Sequence, residues 1–257
     1  MLYFAGIDIG SVNSKAVIIK QNKIVCFKTV ASGGNYTEAG NNVLEAALQA
    51  IELPRQKLSL AFTTGQGASR ITSDKEVNEI TSQGRALNFL FPNVRTIIDI
   101  GGQATRVSRV DEHGRVTDFA ISEKCATGSG RFLQVMGRVL EVDLADMGPL
   151  SLKSTSPVKF GTSCAVFAES EAISRITEGM TKQDIIAGMH NSMAAKINSL
   201  IQRIKLKQKC GVTGGGAMDI GLVKSLEGIM ESSLLVPPEP QITAALGAAL
   251  LAREAKT

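Results

Sequence analysis

Phe4-Ala-Gly-Ile-Asp8-Ile-Gly10-Ser11 and Thr96-Ile-Ile-Asp99-Ile-Gly101-Gly102-Gln103 are two copies of one phrase, set about ninety residues apart. Each is an apolar β-like run, then an aspartate, then Ile-Gly and a small or polar turn. Around the first copy, Ile- and Val-rich segments predict strands over 3–8, 14–20 and 23–30, separated by polar turns at 10–13 and 21–22. A helix is expected over 38–51, where Val43, Leu44, Ala47, Leu48 and Ile51 recur at helical spacing. A strand over 58–63 runs into Thr63-Thr64-Gly65-Gln66-Gly67, and a helix over 75–90 stops before Pro92. The second copy restarts the order: strands over 95–100, 104–110 and 115–121, then helices over 129–140, 165–177 and 182–205. A strand over 210–213, a glycine turn at 213–216, a helix over 219–231, a strand over 233–236, a Pro-rich turn at 237–240 and a helix over 242–254 complete the chain.

This is an internal duplication with a period far longer than that of solenoid repeats. It predicts an α/β fold of two lobes, each built on a mixed sheet. Phe91-Pro92-Asn93 marks the boundary. Residues 1–92 are expected to form an N-terminal lobe with the first loop. Residues 93–257 are expected to form a C-terminal lobe with the second loop, the last helix being free to pack back on the N-terminal lobe.

The composition narrows the function classes. The chain has 257 residues, 44% hydrophobic and 20% charged, with a net charge of +4. That is ordinary for a soluble globular protein. Aromatics are only 4% and Trp is absent, which argues against a nucleic-acid surface. Asp8 interrupts the first apolar run, so no signal segment is read there. The apolar stretch 244–252 is too short to cross a bilayer. A cytoplasmic protein with no membrane partner is the expectation. Four cysteines, Cys26, Cys125, Cys164 and Cys210, form no Cys-x-x-Cys pair and no disulfide framework.

An aspartate ending a strand before a tight glycine turn suits phosphate chemistry. Glycine lets backbone N–H groups approach a phosphate, and a carboxylate holds Mg²⁺, which favours few carboxylates with phosphates and water. Asp8 and Asp99 are candidates to share one Mg²⁺, with Asp99 catalytic. Gly10, Ser11 and Lys15 are candidate ATP contacts in the first loop, and Gly101, Gly102 and Gln103 in the second. Gln103 is also a candidate to orient an attacking water. Gly214, Gly215 and Gly216 offer a further close approach beside the nucleoside. Lys15 reads equally well as a surface lysine on a strand. No Gly-x-x-x-x-Gly-Lys-Ser/Thr loop is present, which excludes the P-loop ATPases by motif.

The duplicated loops resemble the acetate and sugar kinase, Hsp70 and actin superfamily. The resemblance narrows at Glu123-Lys-Cys125-Ala-Thr-Gly-Ser-Gly-Arg131-Phe132 and Ser163-Cys164-Ala-Val-Phe-Ala-Glu169-Ser170-Glu171. Those segments look like the ATP-dependent activators of 2-hydroxyacyl-CoA dehydratases and the ATPase subunits of benzoyl-CoA reductases, the BadF/BadG/BcrA/BcrD ATPase family. The likeness runs from Gly6-Ile-Asp8-Ile-Gly10-Ser11 to Ala244-Ala-Leu-Gly-Ala-Ala-Leu. It implies an ATPase coupled to electron transfer, using ATP/ADP and Mg²⁺. It also implies one [4Fe–4S] cluster per homodimer, held by Cys125 and Cys164 of both chains. A low-potential electron would come from ferredoxin or flavodoxin. It would pass to an acyl-CoA dehydratase, a benzoyl-CoA reductase or a related double-cubane protein.

The residues agree with that implication. Cys125 and Cys164 each stand ahead of an expected helix, where N–H groups and the helix dipole favour thiolate. A cubane takes four thiolates, and a two-fold dimer would supply them. A zinc Cys₄ site across the same interface is a second option, although these are not zinc spacings. Cys26 and Cys210 read as small buried hydrophobes.

The chain also departs from the family pattern. Where the second loop usually reads Gly-Gly-Gln-Asp-x-Lys, here it is Gly101-Gly102-Gln103-Ala104-Thr105-Arg106. Thr81-Ser82-Gln83-Gly84 and Gly65-Gln66-Gly67-Ala68 differ as well, which marks a divergent branch. The rivals are a small-molecule kinase without a cluster, for which Glu169 and Glu171 are candidate bases, and an actin-like switch protein.

Overall fold

A computed structural model describes residues 2–122, 126–161 and 165–256, with the side chains of Ala165 and Val166 left out. The chain divides into two compact units. The first comprises Met1–Arg95, Val110–Thr117 and Gln241–Thr257, and the second Thr96–Arg109 and Asp118–Pro240.

In the first unit, β1 (Tyr3–Ile9), β2 (Asn13–Lys20) and β3 (Lys23–Ala31) form a meander. Then come α1 (Tyr36–Gln49), β4 (Leu58–Thr64), β5 (Lys75–Glu76) and α2 (Glu79–Leu90). The sheet order is β3-β2-β1-β4-β5. β1 is antiparallel to β2 and parallel to β4. Alternation along β1 sends Ala5, Ile7 and Ile9 into one core with Val43, Leu44, Ala47 and Leu48 of α1. It leaves Phe4, Gly6 and Asp8 on the opposite face.

That face is covered by the last helix of the chain, which packs on β1, β2, β4 and α2. Its sequence is rich in Ala, so its backbone lies close to the sheet. A Cβ on Gly6 would overlap the carbonyl of Ala245, and one on Gly247 would overlap that of Ser82.

The helix expected from residue 75 begins later, at Glu79. Asn78 is extended and its side chain caps the Ile80 amide at 2.8 Å. Val77 N–H still bonds the Thr63 carbonyl, so the residues before the cap extend the sheet.

After α2, β6 (Thr96–Ile100), β7 (Thr105–Val110) and β8 (Val116–Ile121) repeat the meander. They are followed by α3 (Gly130–Leu140), α4 (Leu144–Ser151), α5 (Ala165–Thr177), α6 (Lys182–Arg203), β9 (Cys210–Thr213) and α7 (Ile220–Met230). The final helix, α8 (Thr243–Glu254), is the one packed on the first sheet. The sheet order is β8-β7-β6-β9, with β6 antiparallel to β7 and parallel to β9. Both units therefore place their third, second, first and fourth strands in the same lateral order. Ile98 and Ile100 enter a core with Phe132, Met136, Met189, Met193 and Leu222.

One local expectation fails here, and one helix was not expected. Residues 233–236 do not form a strand: Leu235 makes a single bridge to Gly211, and Pro237-Pro238 ends the pairing. The helix α4 was not legible, because Gly148-Pro149 interrupts its apolar pattern. No helix among the described residues is long and apolar enough to cross a membrane.

The Gly6 contact is testable. Gly6→Val should lower stability by about 3 kcal/mol, because overpacking against a backbone carbonyl has no soft neighbour to displace. Urea unfolding followed by circular dichroism reads this directly; an unchanged midpoint would refute the close α8–β1 packing.

Candidate functional site

Each unit carries the same constellation at the carboxyl ends of its central strands. In the first, Asp8 is 4% exposed. The β1–β2 register sets Lys15 directly opposite it, and Lys15 Nζ lies 2.9 Å from Asp8 Oδ2. The β1–β4 register sets Thr64 opposite Asp8 on the other side. Gly65 follows with φ +90°, and a Cβ there would collide with Asp8 Oδ1. This position requires glycine both for its left-handed backbone and for its contact.

The second unit repeats the arrangement residue for residue. Asp99 is 4% exposed, Arg106 lies opposite in register, and its Nη1 is 3.4 Å from Asp99 Oδ2. Thr213 is the partner across β9, and Gly214 follows with φ +84°. A Cβ on Gly214 would stand 2.6 Å from Asp99 Oδ1. The Arg106 and Gly65 roles were not read from the sequence. The signal was available: a basic residue seven positions after each aspartate, and Thr-Gly at the end of each parallel strand.

The turns after the aspartates are closed alike. Gly10 N–H bonds the Asn13 carbonyl at 3.2 Å, and Gly101 N–H bonds the Ala104 carbonyl at 3.0 Å. The first turn is braced by Ser32. Its hydroxyl donates to the Gly10 carbonyl at 2.6 Å, so the 2.9 Å contact with Ser14 Oγ uses the Ser14 proton. Ser11 is half-buried, whereas Gln103 is exposed. Gly215 is exposed, and Gly216 is buried where a Cβ would overlap Ile100.

The second turn also grips a helix. The carbonyls of Gly101 and Gly102 accept from the Gly130 and Arg131 amides at 2.9 and 2.8 Å. These are first-turn amides of α3, whose N-cap Ser129 makes no side-chain cap bond. Thr105, the first residue of β7, donates its hydroxyl to the Gly128 carbonyl.

The fit to a cation is decided by one atom. Asp8 Oδ2 is engaged by Lys15, but Asp8 Oδ1 is buried without a hydrogen-bond partner among the described residues. An unsatisfied buried carboxylate oxygen is costly, and a bound ion or its water would satisfy it. One carboxylate oxygen beside a glycine turn is a donor set that suits Mg²⁺ carrying phosphate and water.

The candidate cluster ligands Cys125 and Cys164 lie outside the described residues. The other two cysteines are described. Cys210 is buried, and burial pushes its thiol up to about 11, so it stays an inert thiol at neutral pH. Cys26 corrects the sequence reading: it is only half-buried, on the edge strand β3. The kinase-base candidate Glu171 is engaged structurally. Its carboxylate accepts the Gly161 amide at 2.8 Å and faces Arg175 at 3.3 Å.

Asp184 fixes the segment leading toward Cys164. Its carboxylate takes the Ser154 and Thr181 hydroxyls and the Thr155 and Ser156 amides. Those bonds, the Ser154 hydroxyl foremost, lower its pKa from 3.8 to about 2.

The sequence profile of the BadF/BadG/BcrA/BcrD ATPase family matches residues 5–252. The chain is 39% identical over 252 residues to the 2-hydroxyisocaproyl-CoA dehydratase activator of Clostridioides difficile, covering 98% of this chain and 95% of that one. It is 37% identical to the (R)-2-hydroxyglutaryl-CoA dehydratase activating ATPase of Acidaminococcus fermentans, over 98% and 97% of the two chains. The solved activator of the Clostridium difficile 2-hydroxyisocaproyl-CoA dehydratase, with bound ADPNP, superposes with a TM-score of 0.95 at 40% identity, covering 99% of this chain and 96% of that one. A glucokinase of the ROK family from Streptomyces griseus shares the fold alone, at a TM-score of 0.61 and 12% identity over 98% and 99% of the chains.

The Asp184 network has a pH signature. A lowered acid pKa contributes stability above about pH 4, lost as pH falls through about 2. The gap in unfolding midpoint between the parent and Asp184→Asn should therefore be full at pH 6 and close toward pH 2. A gap that stays constant over that range would contradict the assignment.

Proposed function

This chain belongs to the BadF/BadG/BcrA/BcrD ATPase family, and on that footing we propose that it is an ATP-driven activator delivering a low-potential electron to a partner enzyme. The partner class is a 2-hydroxyacyl-CoA dehydratase, a benzoyl-CoA reductase or a related double-cubane protein. The observation that carries the reading is the repeated Asp–base–glycine constellation, with an orphaned buried oxygen in its first copy. A small-molecule binding site built once would not need this repetition. Two phosphate loops acting on one Mg–nucleotide do.

In this reading Asp8 and Asp99 serve the Mg²⁺ of ATP, each held in place by a base across its hairpin. Gly10, Ser11 and Lys15 take phosphate contacts in the first loop, and Gly101 and Gly102 in the second. Gln103 orients the attacking water, which suits its exposed place at the tip of the second turn. Gly214, Gly215 and Gly216 allow the nucleoside to approach the backbone. Cys125 and Cys164 of each chain in a two-fold homodimer are the four thiolates of a [4Fe–4S] cluster, which when bound supplies a one-electron redox centre. Reduced ferredoxin or flavodoxin is the electron source.

The coupling proposed between the two chemistries rests on α3. Its first amides bond the carbonyls of the second phosphate loop, and its sequence starts five residues after Cys125. A loop that shifts when the γ-phosphate leaves therefore pulls on the helix that follows a cluster ligand. The charge and hydrogen bonds around a cluster set its potential.

Iron and acid-labile sulfide, measured on protein purified without oxygen, test this first. About two irons per chain in a dimer are expected, and iron-free protein after reconstitution would defeat the electron-transfer reading. Cys125→Ser and Cys164→Ser should each lose the cluster and keep nucleotide binding. Asp99→Ala should keep its iron while ATP turnover falls about a hundredfold; undiminished turnover would remove Asp99 from the site.

A further inference from the structure

We propose that His190 is a positioning residue for the nucleoside side of the site, acting through Asp219; the proposal rests on the nucleotide reading of the glycine turn at 214–216. His190 lies in the middle of α6 and is completely buried. Its ring stands between Ser151, the last residue of α4, and Asp219, the N-cap of α7.

The proton positions follow from the partners. The Ser151 hydroxyl donates its one proton to the Gly148 carbonyl at 2.8 Å. The 3.1 Å contact between Ser151 Oγ and His190 Nδ1 must then have the Nδ1–H as donor. On the other edge, His190 Nε2 stands 3.1 Å from Asp219 Oδ2. Neither atom has a hydrogen-bond partner among the described residues. The Nδ1–H bond to Ser151 therefore orients the ring with Nε2 toward the Asp219 carboxylate. Asp219 Oδ1 is already committed, accepting the Gly221 and Leu222 amides at 2.9 and 3.0 Å.

The consequence reaches the glycine turn. Three helices meet at this cluster without side chains to separate them. A Cβ on Gly221 would collide with Ser151 Oγ, and one on Gly148 would stand 2.8 Å from Asp219 Oδ1. Asp219 directly follows the turn Gly215–Met218, and its amide bonds the Gly216 carbonyl at 3.3 Å. Fixing Asp219 therefore fixes the end of that turn. Met218 and Ile220, on either side of it, are 56% and 50% exposed, so they are residues that a bound nucleoside can meet.

The decisive comparison is between His190→Leu and Asp219→Asn, read by calorimetric titration with ADP and by amide hydrogen exchange at Gly221 and Leu222. His190→Leu removes both ring contacts. Asp219→Asn keeps an oxygen for the helix cap and offers an amide N–H to Nε2, so the contact with the ring is kept. His190→Leu should weaken ADP binding about tenfold and speed exchange at both amides. Asp219→Asn should stay close to the parent in both readouts. Parent-like ADP binding by His190→Leu, or equal damage in Asp219→Asn, would overturn the proposal. If His190→Leu does not fold, Ser151→Ala, which leaves Nδ1–H without its acceptor, must weaken ADP binding in its place; parent-like affinity there overturns the proposal equally. If the parent itself does not bind ADP, the nucleotide reading falls and the positioning of a nucleoside falls with it, whereas exchange at Gly221 and Leu222 still reports whether His190 holds the cap.

Discussion

A carboxylate buried at the end of a central strand, with a base on one side and a glycine against the other, is the constraint around which both units are built. Burying a carboxylate is costly unless charge and hydrogen bonds compensate. Lys15 and Arg106 compensate by register: the hairpin return places each directly across from its aspartate. The glycine on the parallel neighbour leaves the second carboxylate oxygen room. Asp8 and Asp99 face away from the cores that take Ile7, Ile9, Ile98 and Ile100, because alternation along a strand allows nothing else. The apolar residues beside each aspartate thus fix where its carboxylate points.

In the second unit the phosphate loop is hydrogen-bonded to the start of a helix. Gly101 and Gly102 satisfy the first amides of α3, a task usually left to a capping side chain. At the other end of the unit, Asp219 caps α7 and meets His190, whose ring also contacts Ser151. In both places a glycine-rich turn and a helix N-terminus share hydrogen bonds. A displacement of the turn cannot occur without a change at the helix. Short polar contacts of this kind transmit motion better than apolar packing, because they tolerate little change in distance or angle.

Some of the chain's departures from the family pattern have a visible setting. Ala104 closes the second turn through its carbonyl, which any residue supplies, so the loop keeps its shape without an aspartate there. Gly65 keeps its left-handed backbone although the residues after it differ from the pattern. Glu171, a base candidate in the kinase reading, is held by Gly161 and Arg175 and helps fix the segment before Cys164 instead.

The sequence by itself determined the duplicated α/β architecture and most of the elements along each half. It could do so because strand alternation, glycine turns and helical spacing are local rules, written within a few residues of each other. It also singled out Cys125 and Cys164, through the motifs around them. Where local signals conflicted it misjudged: Asn78 caps a helix that starts later than expected, Gly148-Pro149 concealed α4, and Pro237-Pro238 cut a strand to one bridge. Only the tertiary structure decided that Lys15 and Arg106 are partners of the aspartates, that Gly65 and Gly214 lie against them, and that His190 meets Asp219 and Ser151. Lys15 and Arg106, seven residues on, are set opposite by hairpin register; for Gly65, Gly214 and His190 the reason is distance along the chain. Gly65 and Gly214 stand well over fifty residues and more than a hundred residues from their aspartates. Such pairs are brought together by sheet register and helix packing, and neither has a local code.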